Sequence, residues 1–316
     1  SNFTAKHGGR KPYYLELFAR PENVLTDTLL SEQGGRFLKK RNRNMVIYID
    51  DYREVELHSN YRWMTLKSIY SMTRMDNIVN MDTRTVLSTL PLYKPNLLCP
   101  RIDSRIINDS QALQSWLISF KFCHTSAVSF INLADMDSWH SNNKLIGHEE
   151  NKFFEVIGVE IDVESREVKS WDQPMIRPIG IGMCGLIFCK IADEVFCLVQ
   201  VKYECGYIDM FELAPTIQFL NGRLTSLSES DSYLYQKFTA QNKPMHFSHQ
   251  SEEGGRFFHE ENACKIIDVE NIDEIDLPST HKWVPLRILQ QKIAQSAHIN
   301  IQLRTLVFIL SMELSF

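Results

Sequence analysis

Arg36, Lys39, Lys40, Arg41 and Arg43 place five cations within eight residues, with Asn42 and Asn44 interleaved. Guanidinium and ammonium groups at that density suit a diphosphate, which guanidinium forks grip in pairs of hydrogen bonds. A second stretch opens with the same residues and then diverges. Ser31-Glu32-Gln33-Gly34-Gly35-Arg36-Phe37 returns as Ser251-Glu252-Glu253-Gly254-Gly255-Arg256-Phe257, but the cation positions now hold Arg256, His259, Glu260, Glu261 and Ala263. One copy keeps cations and the other gains carboxylates and a histidine, as an anion clamp facing an acid/base set would. On this reading Gln33, Arg36, Arg41, Arg43 and Arg256 bind substrate, while Glu253, Glu252 and His259 move protons. Two solvated hairpins, one basic and one acidic, would have the same composition. An arginine kept in both copies beside a Gly-Gly turn can equally hold the shared fold.

Other polar groups stand out by their spacing. Gln200, Lys202 and Glu204 alternate along an otherwise apolar strand, so all three point to one face, either solvent or a pocket wall. Gln218 follows Pro215 in Leu213-Ala214-Pro215-Thr216-Ile217-Gln218, where its carboxamide suits a sugar or base edge or a turn hydrogen bond. His7, beside Gly8-Gly9, reads as a weak candidate in an exposed loop. Asn80, Asp82 and Arg84, matched by Asn300, Gln302 and Arg304, read as a helix cap and its ion pair, with Asp82 as the expected cap. Trp63 and Trp283 read as core.

The elements that must position these groups occur twice. The heptapeptides lie 220 positions apart, and the same ungapped offset matches Tyr13 to Tyr233, Phe18 to Phe238, Asn42 to Asn262, Leu66 to Leu286 and Leu90 to Leu310. So long a period is a duplicated domain and not a solenoid, whose repeats run to about 20–50 residues. The counterpart of residues 108–220 would lie before residue 1, so the chain reads as an N-terminally truncated piece of a longer two-module protein. The Pro-containing stretch 91–100 sets the expected boundary: 1–100 as the C-terminal half of a first module, 101–316 as a complete second one.

Residues 13–30 are expected to be partly helical and 36–50 to form a hairpin with a strand at 45–49. The pattern predicts helices over 63–75, 82–90 and 111–121. Strands are expected at 153–162, 183–191 and 194–204, with Ala192-Asp193 as a tight turn between the last two and a further strand at 208–213. Several antiparallel strands with a few helices make an α+β module, without the alternation of a doubly wound sheet.

A net charge of −5 excludes bulk attraction to nucleic acid. No apolar run approaches the ~18 residues of a membrane span, so the cytoplasm is the expected compartment. The seven cysteines form no C-x-x-C pair and read as reduced thiols, with neither a disulfide framework nor a metal site expected.

The strings SNFTAKHGG, PYYLELF, SEQGGRFLKKRNRNMV, RWMTL, VNMDTRTVL, WDQPMI, LVQVKYE, ELAPTIQ and SEEGGRFFHEEN resemble, in order, those of the NDP-hexose 2,3-dehydratases of deoxysugar biosynthesis. The resemblance implies a mixed-sheet, Nudix-hydrolase-like module present in tandem, a homodimer, and a dTDP-4-keto-6-deoxyhexose substrate. No cofactor is implied, although a partner 3-ketoreductase using NADPH would consume the product. Cys205 departs from the family's usual proline and puts the turn after Glu204 in doubt.

Loss of the C2 hydroxyl from a 4-ketohexose needs only a base for the C3 proton, a donor for the enolate oxygen at C4 and an acid for the departing hydroxide. The enol so formed becomes a 3,4-diketone once C2 is protonated. Two other readings compete. A Nudix-type nucleotide-sugar pyrophosphatase would need a glutamate run to hold Mg²⁺, and no R-E-x-x-E-E string occurs. A nucleotide-sugar-binding module without catalysis is the third. Because the first module lacks its strand-bearing half, the chain as given is expected to be unable to perform the dehydration.

Overall fold

The computed structural model describes residues 12–93, 104–219 and 229–315, apart from positions 20, 22, 165–167, 241–242 and 296–297. In chain order the elements are α1 (Leu15–Ala19), β1 (Val24–Ser31), β2 (Arg41–Ile47), α2 (Leu66–Thr73), α3 (Met81–Leu87), α4 (Ser110–Cys123), β3 (Trp139–Ser141), β4 (Leu145–His148), β5 (Phe154–Asp162) and β6 (Ser170–Pro178). There follow β7 (Gly182–Ile191), β8 (Glu194–Tyr203), β9 (Phe211–Pro215), β10 (Ile217–Phe219), α5 (Glu229–Ala240), β11 (His246–Ser251), β12 (Glu261–Val269), β13 (His281–Pro285), α6 (Leu286–Ile293) and α7 (Ile301–Glu313).

The sequence offset reappears as geometry. β1 pairs antiparallel with β2, setting Ser31 opposite Arg41, and β11 pairs with β12, setting Ser251 opposite Glu261. α2 and α6 begin at equivalent residues, as do α3 and α7, which are capped by the side chains of Asn80 and Asn300 at 2.9 Å. Asp82 therefore sits inside the helix it was expected to cap. The two heptapeptides make equivalent turns: Arg36 and Arg256 each donate their backbone N–H to the carbonyl three residues back at 3.1 Å. α3 and α7 pack against each other. Their arginines reach across in exchange, Arg84 Nη2 donating to the Ser251 carbonyl and Arg304 Nη2 to the Ser31 carbonyl, at 2.7 and 2.6 Å.

The core is built around a seven-stranded sheet of order β11-β12-β7-β8-β13, with β10 also on β7 and β9 also on β8; β12 runs parallel to β7 and the other pairs are antiparallel. β7 and β8 are almost continuously apolar because both of their faces are covered. Leu186, Phe188, Cys197 and Val199 meet α4, α6 and α7, whereas Ile187, Cys189 and Leu198 face Leu234 and Phe238 of α5. α7 is apolar on all sides and buried along most of its length. A separate four-stranded sheet, β3-β4-β5-β6, docks on the second heptapeptide, with Ile176 N–H donating to Arg256 O at 2.9 Å.

Several expectations change. Only Leu15–Ala19 of the 13–30 stretch is helical; from Val24 it is a strand, because alternate residues Thr28 and Leu30 turn inward against the core. The 36–50 hairpin does not form: its strand, Arg41–Ile47, pairs with the preceding β1. Trp283 is fully buried on β13, which pairs with β8, but Trp63 is 52% exposed. Among the described residues no strand pairs with 61–65, so the indole lies outside, edge-on to Tyr52. Helices α2 and α4 and strands β5, β7 and β8 lie close to their expected positions, and Ile191 pairs with Glu194 across the tight turn. Cys184, Cys189, Cys197 and Cys264 are buried, whereas Cys123 and Cys205 are exposed; Cys99, His7 and most of the expected 91–100 boundary lie outside the described residues. Among the described residues no helix is long and apolar enough to cross a membrane.

Candidate active site

β8 presents Gln200 and Lys202 on one face, and Glu204 continues that alternation just past the strand's end. Facing them, β10 carries Gln218 opposite Cys184 of β7. These four polar residues floor a cavity of about 610 Å³. The first heptapeptide forms one rim with Gln33, Gly35 and Arg36; Phe153 and Phe154 form another; Glu260, beside Arg36, completes the lining with Asn262 and Gln302. The floor is knit together. Gln200 Nε2 donates to Pro215 O at 2.8 Å and Lys202 Nζ to Gln218 O at 2.9 Å, while Gln218 Oε1 accepts from Asn300 Nδ2 at 2.7 Å. The cap of α7 thus also fixes a cavity residue. Tyr203 and Phe219 add aromatic surface.

The rim is seated by close backbone approach. Gly206 N–H donates to Gly34 O at 2.8 Å and Lys39 N–H to Gly206 O at 2.6 Å. The intervening turn is closed by Tyr207 N–H to Glu204 O at 3.1 Å, with Cys205 at its second position, where proline would be favoured. The doubt attached to Cys205 is thereby resolved: the turn forms without the proline.

Arg36 is buried at this rim, its guanidinium 4.7 Å from the centre of the Phe154 ring and Nη2 3.8 Å from Glu260 Oε1. Glu260 is only 4% exposed, and its Oε2 has no hydrogen-bond partner among the described residues. Burial, and then the neighbouring Glu252 charge, push its carboxyl up to about 7 against the opposing pull of Arg36. Glu252 lies behind the cavity wall, accepting from Asn262 Nδ2 at 2.6 Å, and burial raises its pKa too. On the floor side, burial and the charges of Glu204 and Glu212 raise the Tyr207 phenol, whose oxygen is 3.2 Å from Asn300 Nδ2.

Of the residues singled out by sequence, the structure gathers Gln33, Arg36, Gln200, Lys202, Glu204 and Gln218 around one cavity. It does not bring Arg41, Arg43, Arg256, Glu253 or His259 there. Arg43 pairs with Asp27 on the exposed face of the β1–β2 ribbon, and Arg41 is exposed at the start of β2 and does not line the cavity. Arg256 pairs with Glu253 at 3.0 Å, and exposed His259 stacks on Phe258 with ring centroids 4.3 Å apart. Sequence reasoning did not count Phe153, Phe154, Asn262 or Gln302 as site residues, and it named Glu260 among the second copy's carboxylates without choosing it to move protons. Glu260 had one signal, a carboxylate standing where the first copy has Lys40. Among the described residues no group of three or more His, Cys, Asp or Glu side chains stands close enough to hold a metal ion.

The chain belongs to the NDP-hexose 2,3-dehydratase family, whose model matches residues 1–90 and 110–310. It is 34% identical over 314 residues to the dTDP-4-dehydro-6-deoxy-alpha-D-glucopyranose 2,3-dehydratase of Streptomyces violaceoruber, an alignment spanning 97% of this chain and 70% of that protein. Enzymes of the same name from Saccharopolyspora spinosa and Amycolatopsis orientalis are 34% and 33% identical, each alignment again spanning 97% of this chain, with 67% and 64% of those proteins covered.

Proposed function

We propose that the chain is a lyase that removes the C2 hydroxyl of dTDP-4-keto-6-deoxy-D-glucose, giving the 3,4-diketo-2,6-dideoxy sugar nucleotide. Family membership supports the reaction class, and the three relatives' shared name supports the substrate. The observation that bears the assignment to a place is the 610 Å³ cavity, which joins a cation at either side, Lys202 and Arg36, to carboxamides and four aromatic rings. Lys202 suits the diphosphate, Gln200 and Gln218 the hydroxyls or base edge, and the rings the flat faces of thymine and sugar.

The expectation that the chain as given would not turn the sugar over rested on the first module's lacking its own equivalents of Gln200, Glu204 and Gln218. The floor comes instead from β8 and β10 and the rim from the first heptapeptide, so both contributors lie in this chain. A pyrophosphatase would need a carboxylate cluster at the diphosphate, and no observation favours one. The repeated order of strand, Gly-Gly turn, strand and two helices supports a Nudix-like module in tandem. Val24, Leu25, Trp63 and Met64, exposed on the first copy, suit a second copy in a homodimer. A 3,4-diketone is reactive, which favours direct consumption by an NADPH-dependent 3-ketoreductase.

Incubating the chain with dTDP-4-keto-6-deoxyglucose, reducing with borohydride and weighing the nucleotide sugars tests the proposal. A 2,6-dideoxy product supports it; recovery of only 6-deoxyhexoses overturns it.

A further inference from the structure

C3, which loses the proton, is bonded to C4, whose oxygen gathers the resulting charge. A base and an oxyanion donor for this reaction must therefore stand side by side on one wall. Among the described residues lining the cavity, Arg36 and Glu260 meet that demand: Nη2 and Oε1 are 3.8 Å apart, both side chains are buried, and Glu260 Oε2 has no hydrogen-bond partner. The other cavity carboxylate, Glu204, accepts from Gln218 Nε2 at 3.4 Å and lies 3.8 Å from Lys202 Nζ, in a network that binds floor to floor.

Resting on the dehydratase reading above, we infer that Glu260 is the catalytic base and Arg36 the group that stabilises the C4 enolate. The Glu260 carboxylate takes the C3 proton, and the C–H electron pair moves into C3–C4 as the C4 oxygen becomes an enolate held by the Arg36 guanidinium. The enolate then collapses, C2–C3 becomes a double bond, and the C2–oxygen bond breaks. The protonated Glu260 hands its proton to the departing hydroxide, since the two bonds broken belong to neighbouring carbons. Water leaves, no electrons are gained or lost overall, and the enol at C3 becomes the ketone when C2 takes a proton from solvent.

The duplication explains why only one copy does this. Glu32 and Glu252 are retained in both heptapeptides, each accepting from its copy's asparagine, Asn42 or Asn262. Of the carboxylates added in the second copy, Glu253, Glu260 and Glu261, only Glu260 lines the cavity, in the position that Lys40 holds in the first copy. A shared carboxylate serves the shared turn; the extra one faces the cavity. The charged groups around Glu260 are Glu252 behind it and Arg36 beside it, with Lys202 and Glu204 on the cavity floor. A carboxyl tuned to about 7 is half ionised at neutral pH, as a group that both accepts and returns a proton should be.

The test compares wild type, Glu260→Gln, Glu260→Asp and Arg36→Lys in the full chain. It measures kcat and KM for dTDP-4-keto-6-deoxyglucose across pH, exchange of the C3 hydrogen with D2O, and dTDP affinity by calorimetry. Glu260→Gln is expected to lower kcat by at least ~100-fold and to abolish C3 exchange while dTDP affinity stays within ~3-fold. Glu260→Asp should recover part of the rate with a displaced acid limb, which a purely structural carboxylate would not do. Arg36→Lys should lower kcat more than it raises KM. If wild type turns the sugar over and Glu260→Gln retains its rate and C3 exchange, the assignment of the base is wrong. If wild type leaves the sugar unchanged, the dehydratase reading itself fails. Should Glu260→Gln not fold, an undisplaced pH profile and undiminished exchange in Glu260→Asp would still overturn the assignment.

Discussion

At the scale of single residues, charge matters only where burial removes the competing solvent. Lys202 sits on the cavity floor with its ammonium donating to Gln218 O, whereas Arg43 is spent on Asp27 at an exposed surface. Lys202→Met is therefore expected to weaken dTDP binding by roughly 1.5–3 kcal/mol, the range for a charge-assisted bond, while Arg43→Ala leaves affinity unchanged in calorimetry. The reverse order would return the diphosphate to the basic run. Glu260 makes a second contrast. Below pH 4.5 its carboxyl is protonated in both folded and unfolded chains; as pH rises, the unfolded chain releases the proton first, and the fold loses stability until about pH 7. Glu260→Gln should thus stabilise the protein progressively from pH 4.5 to 7, by up to roughly 3 kcal/mol, in urea melts taken across that range. An equal effect at pH 4.5 and 8 would show that the group is not held protonated by its surroundings.

At the scale of elements, the active cavity depends on how the first heptapeptide is seated on the turn after β8. A Cβ at Gly206 would come within 2.0 Å of Phe37 O and 2.3 Å of Gly34 O, so the rim would have to lift. Gly206→Ala is expected to lower stability by about 2 kcal/mol or more and to raise KM, because Gln33 and Arg36 move with the rim. A well-folded Gly206→Ala with unchanged KM would show that the rim does not shape the site. Much at this scale was legible in the sequence. Gln200, Lys202 and Glu204 alternate with buried Val199 and Val201, so their common face could be read before their partners were known. The exposure of Trp63 and the burial of Glu260 were not legible. The indole's exposure follows from a missing neighbouring strand, and the carboxylate's burial from a rim more than two hundred residues away in sequence. Neither leaves a local pattern. Val24 to Leu30, within the 13–30 stretch expected to be partly helical, misled for a related reason, since one buried edge of a strand can pass for a helical period.

At the scale of the whole molecule, the duplication is structural glue as well as ancestry. Arg84 and Arg304 each satisfy a backbone carbonyl in the opposite copy, and both guanidinium groups are buried. Tyr70 of the first copy belongs to the same apolar cluster as α7 of the second. Two separately encoded pieces, 1–98 and 99–316, should therefore copurify as one species and melt together, because separation would strand buried arginine donors. Independent migration and separate melting would mean that the copies only lean on each other.

Dehydration of the sugar between C2 and C3 by this chain is tested most directly by a proton NMR time course in D2O. With dTDP-4-keto-6-deoxyglucose as substrate, the C3 signal is expected to fade and the C2 carbinol signal to be replaced by an upfield one as a 2-deoxy-3,4-diketone bearing deuterium at C2 accumulates. A sugar that keeps its C2 hydroxyl, or one released as hexose phosphate with dTMP, would contradict it.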